Sequence, residues 1–186
     1  MKAPGVDRLE RCLERMPTVA GIGSRWHADD AAGPAVISRI SGRIAAKCVD
    51  AGDAPERHLG EVIESGAEAI LLLDAVNFGG APGEIALFTA DELSGRLATT
   101  HTSSLRVLMR YLAAESGADV VLAGIQPASV AFGRPMSAAV AASVEAVAGL
   151  LEAKLGRCDA AAPDWAATPQ VASGGSQKGG RGHSWT

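Results

Sequence analysis

The sequence predicts an α/β sandwich with a mainly parallel sheet of five strands. Three observations predict it. Residues 69–74 (AILLLD) and 120–125 (VVLAGI) are unbroken apolar runs, the mark of strands buried on both faces. Other segments carry a helical period, with Val36, Ile37, Ile40 and Ile44 on one face of 31–46. The two kinds of segment alternate along the first 156 residues, the order that lays helices against a parallel sheet.

The elements follow in order. Val6, Leu9, Leu13 and Met16 recur at helical spacing, and Pro17 ends that leading helix. Residues 18–22 form a short buried strand whose end is marked by Gly21 and Gly23. The helix over 31–46 follows, then a second short strand over 47–50. A helix over 56–65 stops at Gly66, and the first apolar run makes the third strand. Residues 83–88 form another, reached after only about nine residues. That interval is too short for a helical crossover, so this strand is expected to be antiparallel or at an edge. A helix over 105–115, the VVLAGI strand and an Ala-rich helix over 137–155 complete the domain, expected over 1–156.

Beyond Gly156 the composition turns to Ala, Gly, Ser and Pro without a hydrophobic period, and residues 157–186 read as a disordered tail. Trp165 and Trp185 read as isolated aromatics within it. Of 186 residues, 47% are apolar and 20% charged, enough for a real core. The net charge of −4 comes without a Lys/Arg block, which disfavours nucleic acid and anionic membranes as partners. Three widely spaced cysteines, Cys12, Cys48 and Cys158, form no C-x-x-C pair and no disulfide framework. With a charged N-terminus and no long apolar run, this places the chain in the cytoplasm.

In an open α/β sheet, ligands gather beyond the carboxyl ends of the strands. Asp29 and Asp30 follow the first strand, Asp74 ends the third, His101 precedes a helix, and Gln126 and Pro127 follow the last strand. Asp29 reads as the N-cap of its helix. That leaves Asp30 without capping duty, so Asp30, Asp74 and His101 become the candidate site. Asp74 and His101 each have a plainer reading: a solvated strand end and a loop histidine. His27 and His58 read as surface residues. Two carboxylates and an imidazole suit a borderline divalent metal such as nickel, and three protein ligands leave positions open. No P-loop, H-E-x-x-H or G-x-S-x-G is present, and Trp26 occupies the place of the third glycine in a dinucleotide fingerprint. A nucleotide-binding protein on this sheet is therefore disfavoured, and Cys48 reads as an inert buried thiol.

These segments resemble the hydrogenase maturation proteases. GIGSRWHADDAAGPAV is similar to the family's G-[IV]-G-N-x-x-x-x-D-[DE]-x-x-G motif. LLLDAVNFGGAPGEI resembles its Asp-ended strand and Gly-rich turn. TTHTSSLRVLMRYL resembles its His-bearing helix start, and GIQPASVAFGRPMS its closing region. DAGDAPERHLGEV resembles the D-x-G-x-x-P-E segment of the formate-hydrogenlyase-like subgroup. The matches run in order from Leu9 to Leu155. Ser24 stands where the family has Asn, Trp26 and His27 lie in a variable part of the loop, and the tail has no counterpart.

The resemblance implies a three-layer α/β/α sandwich and an endopeptidase that removes the C-terminal extension of a nickel-loaded [NiFe]-hydrogenase large-subunit precursor. It implies Asp30, Asp74 and His101 as the catalytic and metal-contacting residues. Nickel would be supplied by the substrate, and the protease would hold no tightly bound cofactor of its own. The alternative is a non-cleaving, nickel-dependent chaperone for the same precursor, using the same three residues.

Overall fold

The computed structural model describes residues 4–93 and 100–156, the side chains of 4–6 and 100–102 excepted. The tail expected over 157–186 lies outside the described residues. Five strands form one sheet: β1 (Thr18–Ile22), β2 (Cys48–Gly52), β3 (Ala69–Ala75), β4 (Ile85–Phe88) and β5 (Asp119–Ile125). Their spatial order is β2-β1-β3-β5-β4. All neighbours pair in parallel except β4, which runs antiparallel to β5 at the edge. The short interval before residue 83 foretold this.

The helices are α1 (Pro4–Glu14), α2 (Ala32–Ile40), α3 (Leu59–Ile63), α4 (Thr100–Ser116) and α5 (Ala138–Leu155). The alternation of β3 splits the core between two layers. Ala69, Leu71 and Leu73 pack with Leu13, Val36, Ile40, Val144 and Leu151 from α1, α2 and α5. Ile70 and Leu72 pack with Val62, Leu105, Met109 and Leu112 from α3 and α4. A sheet apolar on both faces demands this cover, so the architecture is the expected three-layer sandwich.

Several boundaries differ from the sequence reading. The expected helix over 31–46 ends at Ile40, because the chain turns at Ser41 and Gly42 takes a positive φ of 72°. Ile44 is still buried, but from the turn rather than from a helical face. Met16, expected on the apolar face of α1, lies past its end and is 49% exposed. The helix expected over 56–65 is a 3-10 turn, Pro55–His58, running into the five-residue α3. Helix α4 starts five residues before its expected start at 105. Its Thr/Ser-rich first turn has weak helix propensity, but the packing of Leu105, Met109 and Leu112 stabilises the helix as a whole.

Close backbone approach sets α2 on the sheet. A Cβ on Gly33 would lie 2.3 Å from the Leu73 carbonyl oxygen and 2.4 Å from that of Ile22. Only glycine lets the first turn of α2 sit against the ends of β1 and β3. This packing brings the preceding residues, Asp29 and Asp30, to the carboxyl rim beside β3.

Candidate active site

A cleft of about 1320 Å³ opens across the carboxyl rim. It is walled by the loops after β1, β2, β3 and β5 and by the first turns of α4. His27, Asp30, Asn77, Ser104, Tyr111 and Val130 mark its extent.

The loop after β1 is folded tightly back on itself. Gly23 has φ 126°, and a Cβ there would lie 1.9 Å from the Asp30 carbonyl oxygen. That approach lets the Ser24 N–H donate to Asp30 Oδ2 at 2.6 Å. Asp30 Oδ1 receives no hydrogen bond from the described residues, and the carboxylate lines the cleft. Ser24 Oγ, in the position where the family pattern has Asn, accepts from the Trp26 N–H at 3.4 Å and meets His27 Nδ1 at 3.0 Å. Ala28 adopts φ 39°, a strained conformation for a residue with a Cβ. Flanking bonds hold it there: Asp29 N–H to the Ser129 carbonyl at 3.0 Å, and Asp30 N–H to the His27 carbonyl at 2.8 Å.

Asp29 does not cap its own helix, which corrects the reading from sequence. Neither the 3-10 turn Ala28–Ala31 nor α2 has a side-chain cap. Asp29 is fully buried and points across to the loop after β5. Its Oδ2 accepts the N–H groups of Ala128 (2.8 Å) and Ser129 (3.0 Å), and its Oδ1 accepts that of Ser137 (2.6 Å). Burial raises the carboxyl pKa, but the bonds from Ser137, Ser129 and Ala128 outweigh it and hold the group below its ordinary 3.8. Gln126 ties down a second loop. Its Oε1 accepts from Phe78 and Gly80 N–H at 2.9 and 3.1 Å, and its Nε2 donates to Asn77 Oδ1 at 3.1 Å. The residues after β1 and β5 thus lock together two or more loops of the rim.

Asp74, one residue before the end of β3, is fully buried, with Oδ1 accepting the Ala75 N–H at 2.8 Å. It lies beneath the rim, while Ala75, Val76 and Asn77 line the cleft. His101 stands in the first turn of α4, not in a loop before it. Ser103 and Ser104 on the same stretch line the cleft wall. The His101 side chain lies outside the described residues. Among those that are described, no three His, Cys, Asp or Glu side chains gather around one point.

His27, read from sequence as a surface residue, is half-buried, lines the cleft and meets Phe132 edge-on at 5.3 Å between ring centroids. Only the approach of the loop after β5 turns it inward, and no local pattern announces that. Asp53 and Glu56 add acid to the opposite wall. The thiols stand apart. Cys12 is pushed up to about 11 by burial and by Asp119, and burial raises Cys48 too, so neither is an activated nucleophile. No described helix is long and apolar enough to cross a membrane.

This arrangement defines a class: an α/β sandwich whose candidate working groups are carboxylates at the carboxyl rim of its sheet, beside an open cleft. Comparison with known proteins narrows it. The family model described as hydrogenase maturation protease matches residues 35–154. The hydrogenase 3 maturation protease of Escherichia coli K12 is 32% identical over 134 residues, 70% of this chain and 85% of that protein. The crystal structure of a [NiFe] hydrogenase maturation protease from Thermococcus kodakarensis superposes with a TM-score of 0.73 at 27% identity, covering 80% of this chain and 98% of the other. The solution structure of an Escherichia coli endopeptidase of the same kind gives 0.68 at 30% identity, covering 76% and 92%. The chain belongs to the hydrogenase maturation protease family, and it is a protease.

Proposed function

We propose that this protease works in the cytoplasm and removes the C-terminal extension of a hydrogenase large-subunit precursor once nickel has been inserted. Asp30, Asp74 and His101 are the residues that meet the substrate's metal. The observation that carries this reading is the Asp30 carboxylate. One of its oxygens is held by the Ser24 N–H, and the carboxylate lines a cleft of about 1320 Å³.

The donor chemistry fits a metal shared with the substrate. Two carboxylates and an imidazole, with no thiolate among the described residues that line the cleft, make a modest site for nickel or zinc. The precursor's own ligands would supply the remainder, so the protease needs no tightly bound cofactor. Hydrolysis adds water across one peptide bond. The substrate's metal polarises the carbonyl or the water, or a carboxylate not bound to it accepts the water's proton. Asp29 and Gln126 tie the loops after β1, β3 and β5 together, which lowers the ordering those loops need when substrate enters.

The test is incubation of metal-free protease with the same precursor, with and without nickel, read by intact mass. The expected result is shortening of the nickel-loaded form alone. Equal cleavage of both forms defeats the nickel reading. Binding of the nickel-loaded form without any shortening would instead make the chain a chaperone.

A further inference from the structure

Two large aromatic side chains stand in solvent at the mouth of the cleft. Trp26, on the loop after β1, and Phe132, on the loop after β5, are each 72% exposed. Val130, 52% exposed, stands two residues before Phe132. Single exposed apolar residues are ordinary on any protein surface. These belong to two loops that are fastened together. The Gly133 N–H donates to the Trp26 carbonyl at 2.8 Å. The Phe132 ring lies edge-on to His27 at 5.3 Å, and His27 is held by Ser24 Oγ at 3.0 Å. Beneath them Asp29 takes three backbone N–H groups from the second loop.

The result is a patch of exposed aromatic and branched side chains on a backbone that cannot easily rearrange to bury them. In the free chain these side chains return little hydrophobic stabilisation. Fixed, exposed aromatics with arginine nearby are the residues from which interface hot spots are built, and exposed Arg134 follows on the same loop. The patch is also continuous with the cleft. His27 and Val130 line the cleft, and Trp26 and Phe132 extend the same two loops outward from it. Across the opening, Val107 (63% exposed) and Tyr111 (46%) give the α4 wall a similar apolar edge.

A peptide threaded through the cleft would not cover Trp26 and Phe132. Whatever covers them is attached to that peptide and larger than it. We infer that Trp26, Val130 and Phe132 form a docking patch for the folded body of the protein substrate, against apolar surface that it exposes while its extension is still in place. This rests on the reading that the substrate is a folded precursor cut near its C-terminus. The patch would set affinity and not chemistry, because none of the three residues supplies a proton, a charge or a metal ligand.

The test measures steady-state processing of the nickel-loaded precursor by wild type, Trp26→Ala, Phe132→Ala and the double variant. Wild-type cleavage must be seen first, and its absence sinks the function proposed above rather than the docking patch. Given cleavage, the double variant is expected to raise KM at least about tenfold with kcat within about twofold, at an unchanged melting temperature. Trp26→Phe should restore most of the affinity lost in Trp26→Ala. The mature, already trimmed subunit, which by this reading no longer exposes that surface, should bind wild type and the double variant alike. If either alanine variant melts early, Trp26→Gln and Phe132→Gln replace the pair and must give the same rise in KM. An unchanged KM overturns the proposal. So does a fall in kcat alone, a wild-type dimer that the double variant dissociates, or a lower KM on removal of residues 157–186, since the last two outcomes would assign the patch to a second copy or to the chain's own tail.

Discussion

The two rims of the sheet treat charge in opposite ways. At the amino rim, charged side chains pair in water. Arg15 meets Asp119 with side chains 45% and 72% exposed, and Lys47 stands 3.8 Å from Glu61 at 41% and 49%. At the carboxyl rim, Asp29 and Asp74 are fully buried and Asp30 is half-buried. Their oxygens take backbone N–H groups from Ser137, Ala128, Ser129, Ala75 and Ser24. A charge in water is screened and replaceable. A charge removed from water and bonded to the backbone fixes the loops that hold it, and replacing it leaves donors without partners. The carboxyl rim is therefore where substitutions should be costly, and the kind of cost should separate one acid from the next.

The sharpest separation is between the acids proposed to do chemistry, Asp30 and Asp74, and the acid that builds, Asp29. Asp30→Asn, Asp74→Asn and His101→Ala are each expected to lower precursor processing by at least about 100-fold, roughly 3 kcal/mol of transition-state stabilisation. Asparagine keeps the shape of aspartate without the charge that attracts a divalent ion. Circular dichroism and melting temperature should show a folded protein in each case. Wild-type cleavage rates in any two of these variants would remove the site and with it the contrast between the rims.

Asp29→Asn should fail differently. The side-chain amide of asparagine has one acceptor oxygen where Asp29 offers two, so it would turn an NH2 toward at least one backbone N–H. The expected cost is about 2–3 kcal/mol of stability, measured by urea unfolding, with the loop after β5 loosened. The carboxyl is held below its ordinary 3.8 in the folded state. Its contribution is thus fully present above 3.8 and is lost as the pH falls through the lower folded value. The wild type should destabilise over that acid range more steeply than Asp29→Asn. A variant as stable as wild type with an unchanged acid limb would show that the three bonds carry little.

The layers of the fold were legible because burial on both faces leaves an unmistakable trace in AILLLD and VVLAGI, and the nine-residue interval before residue 83 betrayed the antiparallel edge. Asp30, Asp74 and His101 were singled out because each stands at a strand or helix end, which is a local property. The role of Asp29 was not legible, since its partners lie about 100 residues away in the loop after β5. Nothing in ADDAAG distinguishes an acid that caps its own helix from one that reaches across the rim. His27 was misread for the same reason. Its inward turn depends on Phe132 and on the 130s loop, whose position is set by Asp29. The missed residues form one tertiary unit, and sequence-local reasoning loses such units whole.

The smallest effect tests the other rim. Arg15 donates to Asp119 at the start of β5. Both side chains are substantially exposed, so water competes for each charge, and holding two long side chains in one geometry costs entropy. A double-mutant cycle with Arg15→Ala and Asp119→Ala should give a coupling of about 0.5 kcal/mol or less, falling further when salt is raised from about 0.1 to 1 M as the screening length shortens. Processing of the precursor should not change in any corner of the cycle, because the pair lies at the end of the sheet away from the cleft. A coupling above about 2 kcal/mol, or one indifferent to salt, would mean that the amino rim is desolvated as well. The distinction would then lie in which backbone groups the charges bond, and not in whether water reaches them.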